Sequence, residues 1–137
     1  DRRQRQMCIR DSGNCLAEME QYEEALNYFF KLDFIKSNCV KAWRGIGWCS
    51  FISRKYEQAM KYYEKIIEQK PLAIDYMNAG HVAWTMGDIQ KATALYGKSI
   101  TANGNRERFL EMFRKDKEAL LKQGIQEEDI PLMLDLL

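Results

Sequence analysis

Four cysteines, one histidine and a few adjacent acid pairs are the residues of this chain whose types could do chemistry. Zinc requires clustered Cys and His ligands at short spacing. Cys8, Cys15, Cys39 and Cys49 form no CxxC pair and have no histidine cluster near them. Cys8 and Cys15 stand about two helical turns apart, roughly 10 Å along an axis, too far to bridge. They read as free, small core residues of a reducing compartment, which makes a cytoplasmic location the expectation. No metal is expected. His81 is the sole histidine. A Ser–His–Asp or Cys–His arrangement would have to be built around it, and no nucleophile motif accompanies it. The GIG at 45–47 lacks the strand-to-helix setting and third glycine of a dinucleotide loop, and "ANGNRE" at 102–107 lacks the Gly-Lys-Ser/Thr of a phosphate loop. Glu23-Glu24 and Glu127-Glu128 fall where helix starts attract carboxylates. Neither catalysis nor a cofactor is implied.

Composition points to a helical chain and narrows the classes of partner. The 137 residues suit one domain or a short array of repeats, and 46% are hydrophobic. Twenty-one basic and 20 acidic residues leave a net charge of +1, which gives no global electrostatic case for nucleic acid or an anionic membrane. No apolar run approaches the roughly 20 residues of a membrane-spanning helix. The opening "DRRQRQMCIR" has no initiator Met and already reads as helix interior, so the chain is expected to be a piece of a longer protein. Only Pro71 and Pro131 interrupt it, and an all-α fold follows.

Three segments superpose: "GNCLAEMEQYEEALNYF" from Gly13, "GWCSFISRKYEQAMKYY" from Gly47 and "GHVAWTMGDIQKATALY" from Gly80. The glycines are 34 and then 33 residues apart, and within each segment the further slots fall at offsets 9, 12 and 16. Those slots hold Tyr22, Tyr56 and Ile89, then Ala25, Ala59 and Ala92, then Phe29, Tyr63 and Tyr96. Each unit reads as two antiparallel helices. The first carries the glycine, and the second starts near the Tyr or Ile slot. Short polar turns join them, most clearly "MGD", where Gly87 closes one helix and Asp88 caps the next. Small residues let the two backbones approach, and the aromatics fill the space between units. Leu26, Met60, Leu32 and Ile66 share that buried face. Cys15 and Cys49 occupy one equivalent slot, filled by Val82 in the third unit, as packing residues would. Gly45, in mid-helix, costs about 1 kcal/mol of helix propensity relative to Ala, and no packing reason for it is legible here.

This pattern resembles the tetratricopeptide repeat, with its period of about 34 residues and its W, L-G, Y, A, F, P signature. Trp43, Ile46-Gly47, Tyr56, Ala59, Tyr63 and Pro71 fill the slots of the second unit in order. The first has Ile9 for the tryptophan and Ser37 for the proline; the third has Tyr76, and Gly104 in the proline slot. The resemblance implies a right-handed α-solenoid of helix pairs, with repeats at about 6–39, 40–72 and 73–106 within residues 1–105. Residues 106–137 then form C-terminal capping helices, because a solenoid end needs a cover. Their apolar tail, Ile130 to Leu137, is also a candidate to meet further sequence or a second chain.

The family further implies a binding groove lined by the first helix of each repeat. Carried to matching positions, the groove residues are Arg10, Asn14, Lys41, Arg44, Trp48, Phe51, Met77, His81 and Trp84. They would form a basic end and an exposed aromatic floor, suited to a protein or peptide segment that is apolar and bears a carboxylate. A chaperone-tail clamp is not expected, since Gly45, Ile74 and Asn78 stand where its Asn and basic residues belong. The alternative is a structural or self-associating (homo-oligomeric) segment of a longer repeat protein. The two neighbouring tryptophans should differ, with Trp43 structural and Trp48 open to a partner.

Overall fold

A computed structural model describes residues 21–137. Every regular element among them is a helix: α1 Tyr22–Ile35, α2 Val40–Ile52, α3 Tyr56–Ile67, α4 Ala73–Thr85, α5 Ile89–Asn103, α6 Arg106–Lys115, α7 Lys117–Lys122 and α8 Asp129–Asp135. Among these, no helix is long and apolar enough to cross a membrane. The chain falls into two compact units, one ending at Ile66 and the other running from Ile67 to Leu137. Gly13, Cys8, Cys15, Arg10 and Asn14 lie outside the described residues.

In the first unit, α1 buries Ala25, Leu26, Phe29 and Leu32, a spacing that places them on one face. That face meets α2 through an aromatic on a glycine. A Cβ built on Gly45 would lie 2.6 Å from three ring carbons of Phe29, so the ring occupies the space a side chain would need. This supplies the packing reason for Gly45 that periodicity does not show. The pairing of α2 with α3 repeats the device, with Gly47 against Tyr63 at 2.8 Å from its would-be Cβ. Trp43 is sealed between the helices: its Nε1–H donates to Asp33 Oδ1 at 2.8 Å, and the Lys65 ammonium sits 4.5 Å from its ring centre. An edge-on contact of Phe30 with Tyr62 joins α1 to α3.

The turn from α2 to α3 is closed by Arg54 in the left-handed region, φ 64°. There Lys55 N–H donates to Ser50 O at 2.7 Å and Arg54 N–H to Phe51 O at 3.1 Å. The same turn recurs from α4 to α5. Gly87 has φ 86°, and Asp88 N–H donates to Ala83 O at 2.9 Å. These six-to-one bonds satisfy helix-end carbonyls that would otherwise lack donors. Asp88 then accepts from Lys91 N–H at 3.0 Å as the N-cap of α5. The expected Gly87–Asp88 stop-and-start signal is therefore what the chain uses.

In the second unit, α4 and α5 close on Gly80, whose would-be Cβ lies 2.6 Å from a ring carbon of Tyr96. Asp75, buried in the first turn of α4, accepts from Leu72 N–H at 2.7 Å. Ser99 donates to Ala73 O at 2.7 Å and ties α5 to the start of α4. Asn105 caps α6 by accepting from Arg108 N–H, and α6 brings Phe109 and Phe113 to within 5.7 Å of Tyr96, centre to centre. Burying rings of this size is worth about 2–3 kcal/mol each. Residues 106–115 thus pack their two phenylalanines on the α4–α5 pair. The α8 helix buries Ile130 and Met133, and Arg106 donates to Leu134 O beside it.

Candidate functional site

The residues expected to line a binding groove have different fates. On α2, Lys41 is exposed, whereas Arg44 and Trp48 are partly exposed. These three lie three and four residues apart, so they share one helical stripe. Its next member, Phe51, is fully buried at 0% exposure. The Phe51 ring lies 5.5 Å from Trp48 and 6.0 Å from Tyr56, centre to centre. It therefore supports the inner side of Trp48 instead of forming an open floor. The two tryptophans of α2 differ as expected, with Trp43 buried and Trp48 reaching the surface.

On α4 the expectation of an open aromatic surface is corrected. Met77 and His81 are buried, and Trp84 is only 6% exposed. The cause at His81 and Trp84 is the C-terminal region. Phe113 of α6 stacks edge-on with His81 at 5.4 Å and tilted with Trp84 at 6.4 Å. At His81 and Trp84, two positions expected to line the groove, the space is taken by Phe113 of α6.

His81 instead belongs to a buried polar relay. Its Nδ1 lies 2.6 Å from the Tyr96 hydroxyl and its Nε2 lies 3.0 Å from Asp116 Oδ2. The carboxylate oxygen accepts, so Nε2 carries a proton; Nδ1 then accepts from the Tyr96 O–H, and one neutral tautomer satisfies both partners. Burial, reinforced by the charge of Asp116, pushes the Tyr96 phenol well above its ordinary value and keeps it a donor. The relay joins α4, α5 and the α6–α7 junction. A Tyr–His–Asp series resembles part of a proton-transfer set, but with His81 fully enclosed it holds helices together. Sequence spacing could not pair His81 with Asp116, 35 residues away.

Cys39 and Cys49 are free and buried. Burial pushes the Cys49 thiol up to about 12, the opposite of what a nucleophile requires. Among the described residues no group of three or more Cys, His, Asp or Glu is placed to hold a metal ion.

Residues 40–71 and 76–106 match the family model described as tetratricopeptide repeat. Tetratricopeptide repeat protein 34 of Xenopus laevis is 31% identical over 110 residues, covering 74% of this chain and 20% of the relative. Tetratricopeptide repeat-containing protein trd-1 of Caenorhabditis elegans is 26% identical over 78 residues, covering 56% of this chain and 10% of the relative. The chain thus spans a fifth or less of the length of these relatives. Among solved structures, YrrB, titled a TPR protein with an unusual peptide-binding site, aligns with a TM-score of 0.65 at 18% identity. That alignment covers 85% of this chain and 67% of YrrB, and it is a likeness of fold.

Proposed function

We propose that the chain is a tetratricopeptide-repeat scaffold for protein–protein interaction, as the match of residues 40–71 and 76–106 to that family's model supports, and that it binds a protein or peptide segment on the first helix of its second repeat. The reading rests above all on one observation: Trp48 reaches the surface beside Arg44 and Lys41, while its neighbour Trp43 is sealed. An indole backed by Phe51 is a rigid, partly apolar platform, and the two cations beside it favour a segment that carries a carboxylate. Tryptophan and arginine are also the residues in which binding energy most often concentrates. Arg10 and Asn14 of the first repeat would extend the basic end of this surface. In this reading Phe51 positions Trp48, and Met77, His81 and Trp84 hold the scaffold together rather than touch the partner. The work is non-enzymatic.

The test is a titration of the 137-residue chain with peptides ending in an aromatic residue, once with a free C-terminal carboxylate and once amidated. Tryptophan fluorescence reports on binding. The free-carboxylate peptides should bind more tightly, and Trp48→Ala and Lys41→Ala should each weaken them about tenfold, equivalent to 1.4 kcal/mol. Unchanged affinity in both variants would remove this surface from consideration.

A further inference from the structure

A second surface, in the unit from Ile67 to Leu137, has the opposite charge. The short α8 helix buries Ile130 and Met133 and leaves Leu132 and Leu136 each 62% exposed. Leu132 and Leu136 are four residues apart and therefore lie one above the other on the helix surface. With Trp84 and Ile89 they line an open depression of about 450 Å³, and Asp129 and Asp135 stand in the same lining. Neither carboxylate joins an ion pair among the described residues. A soluble chain rarely leaves two leucines and an isoleucine beside a tryptophan without something to cover them.

We infer that this depression is a docking site for a protein segment whose apolar side chains are flanked by lysine or arginine. Charge complementarity selects that occupant. Apolar side chains would enter between Leu132, Leu136 and Ile89 over the edge of Trp84, and flanking cations would meet Asp129 and Asp135. A second copy of α8 fits less well, because a self-complementary contact through this helix sets like carboxylates against one another. The occupant also differs in kind from that of the α2 surface, where Lys41 and Arg44 share a helical stripe with the partly exposed Trp48. The two sites can therefore be separated by the charge of the ligand.

Two fluorescent amphipathic helical peptides with the same leucine pattern, one bearing flanking lysines and the other glutamates, serve as probes in polarisation titrations with the full chain. The lysine peptide should bind at least about tenfold more tightly than the glutamate peptide and should weaken as salt is raised. Leu132→Ser with Leu136→Ser should abolish its binding, and Asp129→Asn with Asp135→Asn should reduce its preference over the glutamate peptide. These side chains are exposed, so helical circular dichroism should stay at the wild-type level and separate lost docking from lost fold. Trp48→Ala should leave this binding intact, which keeps the test independent of the α2 surface. The inference is overturned if the lysine peptide fails to bind, if the two peptides bind equally, or if the serine variant binds as wild type. Sedimentation showing a dimer that dissolves in the serine variant would also overturn it, by making a second copy the occupant.

Discussion

Replacing Gly45 with alanine should destabilise the chain even though alanine is the better helix former. The new methyl would sit 2.6 Å from Cδ1, Cε1 and Cζ of Phe29, whereas carbons in contact prefer about 3.5–4.0 Å. The ring would have to withdraw by about 1 Å, and at 2% exposure it is enclosed. Overpacking of this kind costs about 1–3 kcal/mol, and the helix-propensity gain returns about 1 kcal/mol. The net expectation is a loss of up to about 2 kcal/mol. Gly97→Ala is the matched control: it lies inside α5 with nothing within 4 Å of its would-be Cβ, so it should gain about 0.5–1 kcal/mol. Urea denaturation followed by circular dichroism and tryptophan fluorescence measures both. In a Phe29→Leu background, which removes the ring carbons at issue, Gly45→Ala should turn neutral or favourable, giving a coupling of about 1–3 kcal/mol. The close-approach argument is refuted if Gly45→Ala stabilises as much as Gly97→Ala. It is refuted equally if the effect of Gly45→Ala is the same with and without the ring.

Three further perturbations follow from the geometry. Arg54→Gly relieves a left-handed residue at the slot where the third repeat uses Gly87, and should raise stability by about 1 kcal/mol in the same urea assay. Asp116→Ala strands the enclosed Nε2–H of His81 and should cost about 1–3 kcal/mol, with faster amide exchange in α6; no change would dismiss the relay as a fastening. In a variant with Cys8, Cys15 and Cys39 replaced by serine, Cys49 should resist iodoacetamide at pH 8 until denaturant unfolds the chain. The native thiol is pushed from 9.0 up to about 12, so the folded state holds a proton that the unfolded state releases, and stability should fall as pH rises from about 9 towards 12. Cys49→Ala should flatten that decline in part, since Tyr96 shifts in the same direction.

Much of the molecule was legible from residue order alone, because helical packing is periodic and the sequence is too. The 34-residue and 33-residue spacing of the glycines set the register of the helix pairs. Gly47 and Gly80 marked close approaches, but the aromatics at offset 16 were expected between units, whereas Tyr63 and Tyr96 pack on those glycines within one helix pair. Gly87 and Asp88 announced a helix end and a helix start through local backbone chemistry. Period also separated Trp43 from Trp48, since five residues on a helix turn a side chain to a different face.

Period assigns a direction, however, and not what lies in that direction. Met77, His81 and Trp84 share one helical stripe, yet Phe113 of α6 covers His81 and Trp84, because a repeat buries its open face against whatever follows it. Only the folded chain could bring Asp116 to His81, Phe29 to Gly45, and the leucines of α8 beside Trp84 and Ile89. These contacts join residues on different helices with no shared periodicity. Their partners are chosen by how the helices pack, and that choice is made in three dimensions.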